Sequence, residues 1–337
     1  MGRYFCQCAW DETNLSWLYE TGFWIIKGYM KLPEELQYIQ NSLKPQKSSS
    51  ARLDGKVCII SGTTSGVGYQ AAKKCAQGGA HLVMICRNQE KGRKIQQELT
   101  DKYGVVVDLI LADFQKLADV QRAALEIRDK YPDIHVLINN VGVFNRRRRL
   151  TPDGHEMTFG VIHLASFLLT KLLLEPLTKA APSRVLFISS EAHRFGGFNI
   201  NDLDWRKRPY IGLFAYGAAK IAQLHTASIF AEQLKESGVT VNVMHPGAVR
   251  TNIGMNNGFF YRIYSRFILS WFLKDPVCAG EAIYYLAADP DLEGVTGKFF
   301  NQTIEEKPAG YAVKSEMRKT VWDHSEALIQ PYLKEDL

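Results

Sequence analysis

The sequence contains few cysteines, no long apolar run and little excess charge. Its six cysteines are scattered and have no partners at zinc-site spacing, so we expect reduced thiols and no metal. No apolar run approaches the roughly 18 residues of a spanning helix, and the N-terminus lacks a signal-peptide pattern. We therefore expect an intracellular protein. A net charge of +6 is too small to indicate nucleic acid as a partner.

The first 50 residues differ from the rest of the chain. Trp, Tyr and Lys are dense between Leu15 and Leu32, and the stretch from Pro45 to Ser50 has a linker composition. Half-buried rings flanked by lysines suit a membrane–water interface, but they suit an extra helix packed on the domain equally well. We predict an N-terminal extension and linker over 1–50, with peripheral membrane contact left open, and one domain over 51–337.

From Lys56 onward, short apolar segments alternate with helix-like ones. The apolar segments predict strands at Val57–Ser61, His81–Cys86, Val105–Leu111, His135–Asn139, Arg184–Ser189 and Val239–Met244. Apolar strands separated by helices indicate a parallel sheet covered on both faces. The predicted fold class is therefore α/β, a doubly wound (Rossmann) parallel sheet in a single domain with an N-terminal helical extension. Ligands of such sheets bind at the carboxyl ends of the strands.

The first predicted strand runs directly into a glycine-rich turn that ends at Gly68. Gly62 would allow the tight turn, Gly66 the approach of a pyrophosphate, and Gly68 the close packing of helix against strand. The N-terminus of the next helix would present free N–H groups to the phosphates. We predict a dinucleotide site formed by Gly62, Ser65, Gly66, Val67 and Gly68.

The end of the second predicted strand carries a cation where an acid would select NAD. Arg87 and Asn88 follow Cys86, so no carboxylate is present to bind a ribose 2′-hydroxyl, whereas the guanidinium can bind a 2′-phosphate. We therefore favour NADP(H) over NAD(H), the alternative being that Arg87 is a solvated surface residue. Asp113, after the third strand, would accept from the adenine amino group or begin the next helix.

Three polar residues suggest acid–base chemistry. Tyr216 and Lys220 are four residues apart on a predicted helix and therefore share a face. A nearby ammonium would favour the phenolate and lower the pKa of the tyrosine. Ser190, at the end of a central strand, would donate to a carbonyl oxygen while Tyr216 delivers the proton. These residues form the predicted catalytic group.

Together these motifs resemble those of the short-chain dehydrogenase/reductase family. The shared motifs, in the family's order, are Ser61–Gly68, Asn139-Asn-Val-Gly142, Ile188-Ser-Ser190, Tyr216-x3-Lys220 and His245-Pro-Gly-x3-Thr251. Further stretches resemble the retinol dehydrogenase branch, namely Thr151–Glu156, Ser189–His193, Ala215–Ala222, Gly294–Phe300 and Trp322–Glu326. The resemblance extends almost to the C-terminus.

The resemblance implies roles for individual residues. Ser190 would orient the carbonyl, Tyr216 would be the acid–base group and Lys220 would assist it. The cofactor contacts that it adds are Asn139, Gly142, Tyr216, Lys220, Pro246, Gly247, Val249 and Thr251. Family members often pair through the helix that carries the catalytic tyrosine, so a homodimer is an expectation from resemblance alone.

One position departs from the family pattern. Relatives read Val-Asn-His-Leu where this chain has Val161-Ile-His-Leu164, and their asparagine helps to organise a water relay to the lysine. The Ile162 side chain can neither donate nor accept a hydrogen bond. An NADP(H)-dependent oxidoreductase and a cofactor-binding scaffold or regulatory protein with weak catalysis therefore both remain open. A third possibility is a membrane-organising protein that acts through residues 1–44.

An aromatic segment at about 252–275 follows these motifs, where this family places its substrate lid. Phe260, Tyr264, Phe267 and Trp271 recur there at helical spacing. Core packing is the ordinary interpretation, but the density of aromatics favours a lid that admits a lipid-like molecule. The predicted partner is a hydrophobic small molecule (a retinoid, a steroid or a lipid aldehyde or ketone), and the endoplasmic reticulum or another organelle surface is the predicted location.

Overall fold

The computed structural model describes residues 37–249 and 275–333. Their strands are β1 (Val57–Ser61), β2 (His81–Cys86), β3 (Val107–Leu111), β4 (Val136–Asn139), β5 (Ser183–Ile188), β6 (Val239–His245), β7 (Phe299–Asn301) and β8 (Ile304–Glu306). These strands form one sheet in the order β3-β2-β1-β4-β5-β6-β7-β8. All neighbouring pairs are parallel except β7 and β8. The strand order reverses between β1 and β4, which opens a crevice at their carboxyl ends.

Helices cover both faces of this sheet. The helices are α1 (Gln37–Leu43), α2 (Gly66–Gln77), α3 (Gln89–Tyr103), α4 (Leu117–Lys130), α5 (Ala165–Leu172), α6 (Leu174–Lys179), α7 (Gly212–Gln233), α8 (Pro276–Ala288) and α9 (Ser315–Ile329). One apolar core lies under α2, α3 and α8, and a second lies under α4 to α7 and α9. The predicted doubly wound fold is confirmed. The helices that bury the apolar strands are the reason the sheet can be parallel.

Most predicted elements are present, with small shifts at their ends. β1 and β2 have the predicted bounds, and β3 begins two residues later than predicted. β7 and β8 were not predicted because segments of three residues are too short to show a strand period. Among the described residues, no helix has the length and apolar character needed to cross a membrane.

The described end of the N-terminal extension contacts the last two strands. Asn41 donates to the Glu306 carboxylate at 2.9 Å, and the backbone N–H of Thr303 donates to Gln46 Oε1 at 3.0 Å. The backbone N–H of Lys47 donates to Thr303 Oγ1 at 2.9 Å. The segment predicted as a linker is thus bonded to the edge of the sheet. The predicted membrane contact of residues 1–36, and residues 252–274 of the predicted lid, lie outside the described residues.

The cysteines test the expectation of reduced thiols. Cys58, Cys75 and Cys86 are free and buried, as expected. Cys278 is disulfide-bonded, so the expectation is wrong at that position. Folding can bring distant cysteines together, which their spacing along the chain does not show.

The C-terminal helix α9 packs across α5 and α7. The centroid of the Trp322 ring lies 4.9 Å from that of Phe167 and 4.8 Å from that of Phe230. Ser325 Oγ lies 2.7 Å from Nε2 of the buried His163. Helix α9 therefore covers part of the surface of α7, the helix that carries Tyr216.

Replacing Trp322 with Ala should lower the free energy of unfolding by about 3–5 kcal/mol, since it leaves a large cavity between three helices. Urea unfolding of the purified protein measures the change. Lys319→Ala, an exposed position on the same helix, should cost less than about 0.5 kcal/mol. Equal losses in the two variants would contradict the packing role given to Trp322.

Candidate active site

Side chains at the ends of β1 and β4 hold the glycine turn in place. Asn140 Nδ2 donates to the carbonyl oxygens of Ser61 at 3.0 Å and Gly62 at 3.2 Å. Ser61 Oγ accepts from the backbone N–H of Asn140 at 3.0 Å. These bonds join the two strands between which the sheet order reverses. They therefore shape the crevice where a ligand of this fold would bind.

The glycine turn leaves no room for side chains at its centre. A Cβ on Gly68 would lie 2.2 Å from the Gly62 carbonyl oxygen and 2.3 Å from Asn140 Nδ2. Gly62 has a φ of 75°, a left-handed conformation that favours glycine. Ser65 precedes α2 without a side-chain bond to it, so the first N–H groups of that helix are left to a ligand or water.

A cavity of about 480 Å³ extends from this turn along the ends of β1, β2 and β3. Its volume is in the range of known cofactor sites. Predicted residues in its wall are Gly62, Ser65, Gly66, Val67, Gly68, Arg87, Asp113 and Gly142. The glycine floor and the N-terminus of α2 fit the pyrophosphate of a dinucleotide, because backbone N–H groups can approach it closely.

Two cations line this cavity near the end of β2. Arg87 Nη1 lies 3.8 Å from Asp113 Oδ1, and the Arg87 side chain is 64% exposed. Lys91 lies in the first turn of α3 and also lines the cavity. The Asn88 side chain caps that helix by accepting from the Lys91 backbone N–H at 2.8 Å. Lys91 was not predicted from the sequence. Asn88 was a usable signal, because a helix cap there places Lys91, three residues later, in the first helical turn.

Other predicted cofactor residues are placed differently. Asn139 does not line the cavity; its buried side chain donates to Thr170 at 3.0 Å, and its neighbour Asn140 lines the cavity instead. Strand alternation explains this difference, since consecutive side chains point to opposite faces. Pro246, Gly247 and Val249 follow β6 and are buried outside the cavity wall. Thr251 lies outside the described residues.

The structure brings the three predicted catalytic residues together beside this cavity. Ser190 follows β5, and its hydroxyl caps a short 3-10 helix by accepting from the Ala192 N–H at 3.2 Å. Tyr216 and Lys220 lie on α7, and Ser190 is close enough to Tyr216 to lower the pKa of its hydroxyl against the effect of burial. The Tyr216 ring contacts Phe144, with centroids 6.0 Å apart, and Phe144 is part of the cavity wall.

Burial controls the proton affinity of both groups on α7. It raises the pKa of Tyr216 to about 12, although the hydrogen bond from Ser190 acts in the opposite direction. It lowers the pKa of Lys220 to about 7. The expected lowering of the tyrosine pKa by the ammonium is not found, because burial of the hydroxyl dominates. Lys220 Nζ donates to the Ile188 carbonyl at 2.6 Å. Tyr216 is therefore protonated at neutral pH and can act as a proton donor.

Comparison with known proteins identifies relatives along most of the chain. The chain is 36% identical to retinol dehydrogenase 14 of Mus musculus, covering 82% of this chain and 86% of that protein. It is 35% identical to human retinol dehydrogenase 13, covering 83% and 86%. A short chain dehydrogenase from Burkholderia cenocepacia, solved with NADP, has the same fold at 20% identity, with a TM-score of 0.60 over 75% of this chain and 98% of that one.

The family model for short chain dehydrogenases matches residues 56–259. That range contains the glycine turn, Ser190, Tyr216 and Lys220. Proteins of this family bind a nicotinamide cofactor and transfer hydride, so the coarse prediction of a nicotinamide-dependent oxidoreductase is confirmed. The chain belongs to the short-chain dehydrogenase/reductase family and resembles its retinol dehydrogenase branch.

Proposed function

We propose that this protein is an NADP(H)-dependent oxidoreductase that acts on the carbonyl or alcohol carbon of a hydrophobic molecule. A retinoid, a steroid or another lipid aldehyde or ketone is the proposed substrate class. The observation that carries the proposal is the Ser190–Tyr216 pair beside a dinucleotide-sized cavity.

The proton chemistry follows from the contacts of Tyr216. When bound, the nicotinamide supplies or accepts the hydride. In the reductive direction, Ser190 and Tyr216 donate hydrogen bonds to the substrate oxygen as negative charge develops on it. The Tyr216 phenol, with its raised pKa, then transfers its proton to that oxygen. Lys220, buried four residues further along the same helix, would support the tyrosine and hold ribose hydroxyls of the bound cofactor.

The surroundings of the catalytic pair favour an apolar substrate. Phe144 lies against the Tyr216 ring. Phe195 is 52% exposed in the turn that begins at Ser190, and Ile211 and Leu213 are 49% and 43% exposed just before Tyr216. Exposed apolar side chains on both catalytic segments would offer an apolar ligand a surface to bind. They support a lipid-like substrate.

The cations at the end of β2 support NADP(H). Arg87 and Lys91 both line the cavity, and Arg87 also lies near the Asp113 carboxylate. A 2′-phosphate would accept charge-assisted hydrogen bonds from a guanidinium and an ammonium. An NAD site would instead need a carboxylate after β2 to bind the 2′-hydroxyl, and this chain has Arg87 and Asn88 there.

Replacing Arg87 and Lys91 together with Ala should raise the KM for NADPH roughly tenfold to a hundredfold, with the KM for NADH changed less than about threefold. Steady-state kinetics with the two cofactors measures this difference. Lys94→Ala, an exposed position on the same helix that does not line the cavity, is the matched control. An equal rise in both KM values for the double variant would contradict a 2′-phosphate site.

The proposed function is tested by following the absorbance of reduced nicotinamide with panels of substrates. Retinaldehyde, steroid ketones and fatty aldehydes form one panel, and hydrophilic sugar aldehydes of similar reactivity form the other. We expect turnover with NADPH and at least one hydrophobic substrate. Absence of turnover in the hydrophobic panel, or a preference for the sugar aldehydes, would reject the proposal.

A further inference from the structure

The segment that contains Ile162 keeps a main-chain acceptor next to the catalytic lysine. Residues Phe159–Leu164 form a π-helix, in which Ile162 is fully buried. A π-helix alters the regular i to i−4 bonding and occurs frequently at functional sites. The Ile162 carbonyl oxygen accepts from Ser166 Oγ at 2.6 Å. Isoleucine provides no side-chain amide at position 162, but its main-chain carbonyl oxygen remains as an acceptor.

Gln223 connects this carbonyl to Lys220. Its Oε1 accepts from Lys220 Nζ at 3.3 Å, and its Nε2 lies 3.5 Å from the Ile162 carbonyl oxygen. Both side chains are nearly inaccessible to solvent, Gln223 at 1% and Lys220 at 2%. Since a buried amide without partners is costly, this arrangement of donor and acceptor indicates a defined orientation of the Gln223 amide.

The charge on Lys220 makes this contact relevant to function. Burial is the cause of its lowered pKa, and no charged side chain among residues 37–249 and 275–333 adds to that shift. The ammonium therefore depends on neutral acceptors, which are the Ile188 carbonyl and the Gln223 amide. The centroid of the Tyr216 ring, on the same helix, lies 5.8 Å from Nζ.

We propose that Gln223 is a positioning residue for Lys220, joining its ammonium to the Ile162 carbonyl in place of the side-chain amide that position 162 lacks. The inference rests on the oxidoreductase function proposed above. It explains how the lysine remains anchored with isoleucine at position 162. Gln223 acts through Lys220 and does not touch the reacting atoms.

The test compares wild type with Gln223→Met, which keeps the length of the side chain and removes both polar atoms. We expect kcat to fall about tenfold, with the KM for NADPH nearly unchanged. The apparent pKa of the pH–rate profile should fall, since the Lys220 ammonium loses an acceptor that favours its charged form. Ile162→Asn should restore activity in the Gln223→Met background, because it returns a side-chain amide to position 162.

A second measurement does not depend on turnover. Nuclear magnetic resonance of isotope-labelled lysine side chains follows the titration of Lys220, assigned with Lys220→Arg. Gln223→Met should lower the pKa of Lys220, whereas Gln223→Glu should raise it by placing a carboxylate beside the ammonium. Gln223→Glu also provides the answer if the Met variant does not fold. If the wild type proves inactive, the proposed function fails while this titration still tests Gln223.

The control is Gln233→Met, the same substitution at an exposed position near the end of α7. It should change neither kcat nor the titration of Lys220. An unchanged pKa of Lys220 in the Gln223 variants would overturn the proposal, and so would an unchanged kcat and pH profile in Gln223→Met. A large gain in activity from Ile162→Asn in the wild type would also overturn it, because the site would then lack an effective substitute.

Discussion

Replacing Tyr216 with Phe is expected to lower NADPH-dependent kcat by about 10³-fold while leaving the affinity for NADPH nearly unchanged. The substitution removes only the hydroxyl, whose pKa Ser190 influences, and keeps the ring that contacts Phe144. The variant then lacks the proton that Tyr216 would transfer to the substrate oxygen. Steady-state kinetics gives kcat, and quenching of protein fluorescence on titration gives the Kd for NADPH.

Tyr284→Phe is the matched control for this result. Tyr284 lies on α8, and its hydroxyl donates to the Ala51 carbonyl at 2.5 Å, away from the catalytic residues. Loss of this hydroxyl should leave kcat unchanged. A Tyr216→Phe variant that retained full turnover would show that another group delivers the proton, and the assignment of Tyr216 would have to be withdrawn.

Replacing Gly68 with Ala is expected to weaken NADPH binding by roughly 100-fold. The added methyl group would lie 2.2 Å from the Gly62 carbonyl oxygen and 2.3 Å from Asn140 Nδ2. The first of these is a backbone atom, so the glycine turn and the start of α2 must separate. That separation displaces the N–H groups that would bind the phosphates.

Fluorescence titration with NADPH measures this effect, and thermal unfolding by circular dichroism shows whether the variant is folded. Gly310→Ala is the control, since a Cβ at Gly310 meets no atom within 4 Å. It should leave the Kd unchanged. If Gly68→Ala binds NADPH within about threefold of wild type, the turn adapts more easily than its close contacts indicate.

The sequence predicted those parts of the fold that have a local pattern. The buried strands Val57–Ser61 and His81–Cys86 are continuous apolar runs, and folding buries nearly every residue in them. The three-residue strands β7 and β8 have no such pattern, because their pairing depends on contacts with β6 and with each other. Local periodicity cannot predict a strand that is formed mainly by its neighbours.

The residues of the site were also predicted only in part. Gly62, Gly66 and Gly68 follow the first strand of an alternating fold at spacings typical of a phosphate-binding turn, and the structure places them at the floor of the cavity. Asn140 lines the cavity, but the predicted Asn139 does not, because consecutive side chains at the end of β4 point to opposite faces. A sequence motif does not show in which direction each side chain points.

The sequence by itself determined the doubly wound fold, the glycine turn and the residue types for acid–base chemistry, because strand and helix periods and short motifs are local properties. Only the tertiary structure decided the proton affinities of Tyr216 and Lys220, since desolvation depends on everything packed around them. The same is true of the contact between Gln223 and Ile162. These residues are 61 positions apart in the chain and meet only where α7 packs against the π-helix.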